Sequence, residues 1–272
     1  MAEATVPRSS RWLAAPLLAF AVFSLTAGLL ARHDPRSKGY FSLFFSDPIH
    51  LKAGFATAAA VLACFQLFTA AWIFRKLPWD KPVWVNPVHR WSGRLAFLCT
   101  LPVAYHCIFK LGFRDPDTRV LVHSLLGCAF FGAFAAKVTV VRLHGFPRTV
   151  LPIAGGLLFA VLIGAWYSSA LWLYREDASA APSPKTASVL PADANTAAGE
   201  RVFRDNCSSC HTLEAAGASG QIGPNLDSLR PDFEQVRAKV ENGGGGMPAF
   251  GGSLTPQQLR DVAAFVATRA GR

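Results

Sequence analysis

"DNCSSCHTLEAAG", residues 205–217, contains Cys207-Ser208-Ser209-Cys210-His211, a C-x-x-C-H run. That is the spacing used for covalent attachment of a c-type haem. Residues three apart share one face of a helical turn, so both thiols can reach the two vinyl groups of one porphyrin. The next residue, His211, then falls beneath the iron as an axial ligand. Half of a zinc site is one rival reading, but structural zinc takes four protein ligands, and no Cys or His follows His211. The remaining cysteines, Cys64, Cys99, Cys107 and Cys128, lie in apolar runs and read as small packing residues. A thioredoxin-like pair would need a βαβ context, which the flanking sequence lacks.

The sixth iron ligand is narrowed by composition. The chain has two methionines, Met1 and Met247. Met247 sits in "ENGGGGMPAFGG", residues 241–252, where glycines let a loop lie close over a porphyrin face. His/Met coordination raises the reduction potential and suits electron transfer, and a filled sixth position leaves no open site for substrate. Helices are expected on both sides. "NTAAGERVFRDNC" places Gly199 and Phe203 four apart on one face, and "SLTPQQLRDVAAFVATRA" opens with Thr255 as N-cap, Pro256 at N1 and Gln258 at N3. Leu254 and Leu259 suit a hydrophobic staple, and Leu259, Val262, Phe265 and Val266 form an apolar stripe.

Upstream the composition changes. Five apolar runs, Trp12–Leu30, Leu51–Ile73, Trp91–Phe109, Val120–Val141 and Thr149–Leu173, precede the haem motif. Each approaches the ~20 residues that cross ~30 Å of hydrocarbon as a helix. The first could instead be a signal peptide, since Arg8 and Arg11 precede it. Its apolar core exceeds the usual ~7–15 residues and no clean A-x-A site follows, so an uncleaved helix is the reading adopted. Between the last run and the motif, "YREDASAAPSPKTASVLPADANT" is rich in Ala, Ser and Pro without apolar periodicity and reads as a linker. The expected organisation is all-α: a five-helix transmembrane bundle over residues 1–174, a flexible linker over 175–194 and a haem domain over 195–272.

Charge divides along the same line. From residue 183 onward there are nine Lys/Arg and nine Asp/Glu, whereas residues 1–182 hold eighteen and eight and so carry the whole net charge of +10. A basic excess confined to membrane-flanking loops points to lipid headgroups, and no nucleic-acid motif occurs. Trp72, Trp79, Trp84 and Trp91 mark one membrane boundary, and Tyr105, Trp172 and Tyr174 the other. With the N-terminus inside, ten basic residues fall on the inner side and eight outside, a small margin.

These features together resemble class I cytochrome c, of the small bacterial c6 or oxidase-linked kind. The resemblance covers residues 195–270 and rests on C-S-S-C-H, "GPNL" at Gly223–Leu226, "MPAF" at Met247–Phe250 and the C-terminal helix. It implies terminal helices that cross at Gly199, Phe203 and Phe265, and a Pro224 carbonyl that accepts a hydrogen bond from His211. It also implies haem attachment outside the cytoplasm, which places the C-terminus outside and, with five helices, the N-terminus inside.

The apolar part carries histidines. His50, His89 and His123 are each followed four residues later by glycine, at Gly54, Gly93 and Gly127. A glycine one turn from a histidine opens space on the same helix face, as a bis-His b-haem would require. "VHRWSGRLAF" and "VHSLLGCAFFGAF" are similar to membrane b-type cytochromes of the b561 or ferric-reductase kind, over residues 85–140. An outer haem b would be held by His106 with His123, or with His50 replacing either. An inner one would pair His89 with His144. Histidine at interfaces and glycine in helix packing supply the alternative explanation.

Three functions are compatible with this sequence. The first is a membrane-bound electron carrier of a respiratory chain, with redox partner proteins. The second is a small quinol or metal-ion oxidoreductase that uses haem b in the bundle and passes electrons to haem c. The third is a structural subunit of a larger oxidase or dehydrogenase. No residue stands out as catalytic in the sequence.

Overall fold

The structure, a computed structural model, describes residues 9–34, 39–115, 118–143, 145–179, 190–243 and 247–272. Two compact units are distinguished, one formed by the chain up to His33 with Gly54–Leu171, the other by Asp34–Ala53 with Trp172–Arg272.

The apolar runs form helices: α1 Ser9–Leu30, α2 Pro48–Ile73, α3 Val85–Ala104, α4 Thr118–Arg142 and α5 Val150–Trp166. Tyr105–Leu111 prolongs α3 as a π-helix, and Tyr167–Leu171 prolongs α5 in the same way before α6, Trp172–Ser179. Four of the resulting rods, Pro48–Ile73, Val85–Leu111, Thr118–Arg142 and Val150–Arg175, are long and apolar enough to cross a membrane. The first helix is apolar over the shorter Ala14–Leu30. Four of the five expected spans are thus long and apolar enough by themselves, and the first is a helix of 22 residues, Ser9–Leu30, apolar over that part. The segment read as a linker from residue 175 is helical as far as Ser179, and residues 180–189 of it lie outside the described residues.

Small residues let the helices of this bundle approach closely. A Cβ added at Gly132 of α4 would collide with the Phe20 carbonyl and the Ser24 hydroxyl of α1, so these two backbones lie in close contact. On α5, Gly164 gives room to Leu126 of α4. The C-terminal ends of α1 and α3 are tied by backbone: Phe113 N–H donates to Ala31 O at 2.7 Å, and His33 Nε2–H donates to Ile108 O at 2.8 Å. Gly112 makes that approach with φ of 74°, where a Cβ would strike the His33 carbonyl.

The C-terminal unit contains α7 Thr196–Asn206, a short antiparallel pair β1 Thr212–Leu213 and β2 Ala218–Ser219, α8 Leu226–Leu229, α9 Phe233–Asn242 and α10 Pro256–Arg269. Each longer helix begins on a side-chain cap. Asn195 accepts from Ala198 N–H, and Asp232 with Gln235 and Thr255 with Gln258 form reciprocal capping boxes. Helix α10 packs on α7 and α9. At the α7–α10 crossing a Cβ on Gly199 would run into the Asp261 carbonyl, and the Phe203 and Phe265 ring centroids stand 6.0 Å apart. Phe203, Leu213, Phe233, Val236, Val262 and Phe265 form the buried centre of this domain. Asp261 is 5% exposed yet satisfied, its carboxylate accepting from Asn195 N–H at 2.8 Å and from the Gln257 amide at 2.9 Å.

Candidate functional site

The C-x-x-C-H run is wound into a single turn at the end of α7. Cys207 N–H donates to Phe203 O at 2.8 Å, and Cys210 and His211 N–H both return to Cys207 O, at 3.0 and 2.9 Å. Both thiols and the imidazole are therefore presented from one turn, which is what the motif's spacing anticipates. Cys207 is buried and Cys210 half-buried, neither in a disulfide. Burial, helped by the neighbouring Cys210, pushes the Cys207 thiol up to about 12.

His211 is oriented by its neighbour in "GPNL". Its Nδ1–H donates to the Pro224 carbonyl at 2.9 Å, which leaves the lone pair on Nε2. Burial holds the imidazole below its ordinary value, and the Pro224 hydrogen bond acts in the opposite direction. Gly223 is needed here because a Cβ would press against the His211 ring, and its N–H donates to Cys210 O at 2.8 Å. Asn225 caps α8 through Asp227 and Ser228 N–H, and Leu226 packs against the domain core. Each residue of that tetrapeptide thus has a separate physical task.

Met247 follows α9 on a loop that turns back onto its own helix. Gly243 begins it at φ of 67°, where a Cβ would meet backbone of Met247 and Ala249. Phe250 N–H donates to Val240 O at 2.9 Å and Gly251 N–H to Glu241 O at 3.0 Å. Met247 and Phe250 are half-buried against the core that also receives Cys207. Gly244–Gly246 lie outside the described residues. The donor set fits haem: two thiols for the vinyl groups, an oriented neutral imidazole and a soft thioether. Among the described residues no three His, Cys, Asp or Glu side chains gather into a metal-binding group, so the four-ligand set of a structural zinc is not assembled.

The histidines of the apolar part are likewise oriented through one ring nitrogen. His106, in the π-helix after α3, is fully buried, and its Nδ1–H donates to Pro102 O at 2.8 Å. His123 on α4 donates from Nδ1 to Ala165 O at 3.1 Å, with the Ser168 hydroxyl at 3.3 Å. Ser168 lies in the second π-helix, and such bulges recur at functional sites. His50 belongs to the other compact unit and pairs with Asp47, Nδ1 to Oδ2 at 2.7 Å. His144 lies outside the described residues.

Two of the three His-x-x-x-Gly windows can be compared. At Gly127, one turn from His123, a Cβ would meet nothing within 4 Å. At Gly93, one turn from His89, it would collide with the Gln66 side chain. The space beside His89 is therefore filled by protein. Sequence reasoning passed over Gln66 and Thr69, both bonded to the start of α3: Gln66 Nε2 donates to His89 O at 2.6 Å and Ser92 Oγ at 2.7 Å, and Thr69 Oγ1 meets His89 Nδ1 at 2.7 Å. Their signal was available, since each is a polar residue inside an apolar run.

Comparison with known proteins gives two separate matches along the chain. Residues 12–180 match a family described only as a family of unknown function, DUF6529, and residues 194–266 match "Cytochrome C oxidase, cbb3-type, subunit III". Cytochrome c6 of Gloeothece citriformis is 39% identical over 87 residues, which is 30% of this chain and 79% of that protein. Cytochrome c6 of Leptolyngbya boryana is 36% identical over 81 residues, 28% of this chain and 95% of its own length. Among solved structures, the c-type cytochrome SorU from Sinorhizobium meliloti is 44% identical over 28% of this chain and 92% of that one, with a TM-score of 0.27. The C-terminal domain carries the electron-transfer function and covalently bound haem c of c-type cytochromes. The chain belongs to the DUF6529 family through its apolar part and to the c-type cytochromes through its C-terminal domain.

Proposed function

We propose that this protein is a membrane-bound electron carrier of a respiratory chain, with Cys207 and Cys210 holding haem c and His211 and Met247 as the axial ligands. The observation that carries the assignment is the single turn presenting Cys207, Cys210 and the Pro224-oriented His211. When bound, the haem supplies a one-electron Fe(III)/Fe(II) couple. The chain's own residues fix the imidazole tautomer, bury one thioether position and supply a thioether from the glycine-rich loop. In this reading the bundle occupies residues 1–174, a tether residues 175–194 and the cytochrome domain residues 195–272. The cytochrome domain and the ends of α1 and α3 lie outside the membrane, with the Trp-rich end of the bundle at the cytoplasmic face. The basic loops of the bundle meet lipid headgroups, and redox partner proteins dock on the outer domain.

A second reading is favoured by the outer end of the bundle, where His106 and His123 both donate from Nδ1 to helix carbonyls and Gly127 faces open space. The two imidazoles would hold a haem b, and the protein would then be a small quinol oxidoreductase whose electrons leave through the cytochrome domain. A reduced pyridine-haemochrome spectrum of the full-length protein, with haem counted per chain, separates the readings. One c-type haem alone supports the carrier. Added b-type haem that is lost in His106→Ala or His123→Ala supports the oxidoreductase. Covalent haem retained after replacement of both Cys207 and Cys210 would refute the ligand assignment.

A further inference from the structure

The end of the bundle where α2 finishes and α3 begins holds a polar group that the haem sites do not use. An open, shallow depression with about 330 Å³ of space is lined by Ile73, Asn86, His89 and Arg90. Thr69, fully buried, stands behind it. Its hydroxyl lies 2.9 Å from Phe65 O and 2.7 Å from His89 Nδ1. With the hydroxyl hydrogen given to Phe65 O, as in other helix threonines, its oxygen would accept from His89 Nδ1–H. The backbone of His89 is fixed as well, by Gln66, whose amide itself lies where a Cβ of Gly93 would. A hydroxyl donor, an amide and an imidazole held in one tautomer inside an apolar bundle are costly unless they serve a ligand or a fold constraint.

The tautomer selects the chemistry of that ligand. With its proton on Nδ1 committed to Thr69, His89 carries a lone pair at Nε2, on the ring edge away from Thr69. It asks for an O–H donor. A phosphodiester group itself offers none. A haem would need a second axial side chain, and the window beside His89 is already taken by Gln66. A hydroquinone offers two hydroxyls on a flat apolar ring and dissolves in the membrane that this end of the bundle adjoins. Asn86 can donate to or accept from its oxygens, Arg90 can donate to them, and Ile73 suits the ring.

We propose that this open depression binds the headgroup of a membrane hydroquinone, with one hydroxyl donating to His89 Nε2 and Asn86 and Arg90 contacting the oxygens. The proposal rests on the quinol reading above and gives it a substrate site. Thr69 and Gln66 act as positioning residues, since they hold His89 and touch no ligand.

The test is calorimetric titration of the full-length protein, in phosphatidylcholine nanodiscs without oxygen, with duroquinol as the probe. Saturable binding of one molecule per chain is expected, weakened at least tenfold in His89→Leu and severalfold in Asn86→Leu, with haem content unchanged. Asn86 is exposed, so its variant keeps the fold if His89→Leu does not. The dimethyl ether of duroquinol, which lacks both O–H donors, should bind the unaltered protein at least tenfold more weakly. Equal affinity for the ether, equal affinity in both variants, or no saturable binding overturns the proposal. So does loss of a haem in His89→Leu, which would make His89 an iron ligand. The readout does not depend on electron transfer, so failure of the quinol oxidoreductase reading in the haem count stays distinct from failure of this site.

Discussion

The Nδ1–H of His211 and the carbonyl oxygen of Pro224 are joined at 2.9 Å, and Gly223 stands beside the same ring with no room for a side chain. Position and tautomer of the imidazole are thus set by adjacent residues of one tetrapeptide. Gly223→Ala should displace the ring, lowering stability by about 1–3 kcal/mol as an overpacked substitution and perturbing the haem spectrum. Thermal unfolding and absorption spectra check this together. An unchanged spectrum with unchanged melting would mean that the ring is held elsewhere.

Met247→Leu should keep haem covalently bound while lowering the reduction potential, because a thioether at the sixth position favours Fe(II). A redox titration of the purified protein measures it. The same potential in both proteins would remove Met247 from the iron.

The α7–α10 crossing makes a prediction about folding rather than redox chemistry. Phe203 is 1% exposed and meets Phe265 across the helix pair. Phe203→Ala should cost about 3–5 kcal/mol. Gly199→Val should also destabilise, since even a Cβ there meets the Asp261 carbonyl. Denaturant melts followed at the haem absorbance report both. A loss near zero for either would mean the helices can separate without harm.

Asp47 predicts a pH effect. Its carboxylate caps α2, accepting from Ile49 and His50 N–H at 2.9 Å, and binds the His50 ring. Burial pushes its pKa up, but the hydrogen bonds from His50 and Ile49 and the charge of His50 outweigh burial, leaving it below the ordinary carboxylate value. The stabilisation is therefore complete above the unfolded value, about 3.9, and is lost as pH falls through the lower folded value. Asp47→Ala should cost about 0.5–2 kcal/mol at neutral pH, the usual value of an N-cap, and flatten the acid limb of stability. An acid limb identical in both proteins would show that Asp47 does not carry it.

How far these features were legible beforehand depends on their physical scale. The C-x-x-C-H turn and the apolar helices were readable because a fixed motif spacing and a run of about 20 apolar residues are local signals in the chain. The capping box at Thr255 was readable for the same local reason, whereas the equivalent box at Asp232 and Gln235, and with it α9, went unread although the signal is identical. Asp47-Pro48, an N-cap followed by proline at N1, was also passed over, and it sets the orientation of His50. The π-helices at Tyr105–Leu111 and Tyr167–Leu171 were beyond reach. One extra residue per turn alters neither composition nor length, and what selects it is tertiary packing. The Gly93 window illustrates the limit most simply. His89-x-x-x-Gly93 and His123-x-x-x-Gly127 are the same pattern, yet one gap is filled by Gln66 from another helix and the other is open.

The seating of α1 against Gly132 has a consequence in time. Helix α1 ends at Leu30 and its neighbour α4 begins at Thr118, so about 90 residues are synthesised between them. At roughly 5–20 residues per second the first helix leaves the ribosome on the order of ten seconds before its partner exists. It must wait without that partner, and the bundle cannot close in the order in which it is made. Helix α4, which receives both α1 and α5, must arrive before either can be seated.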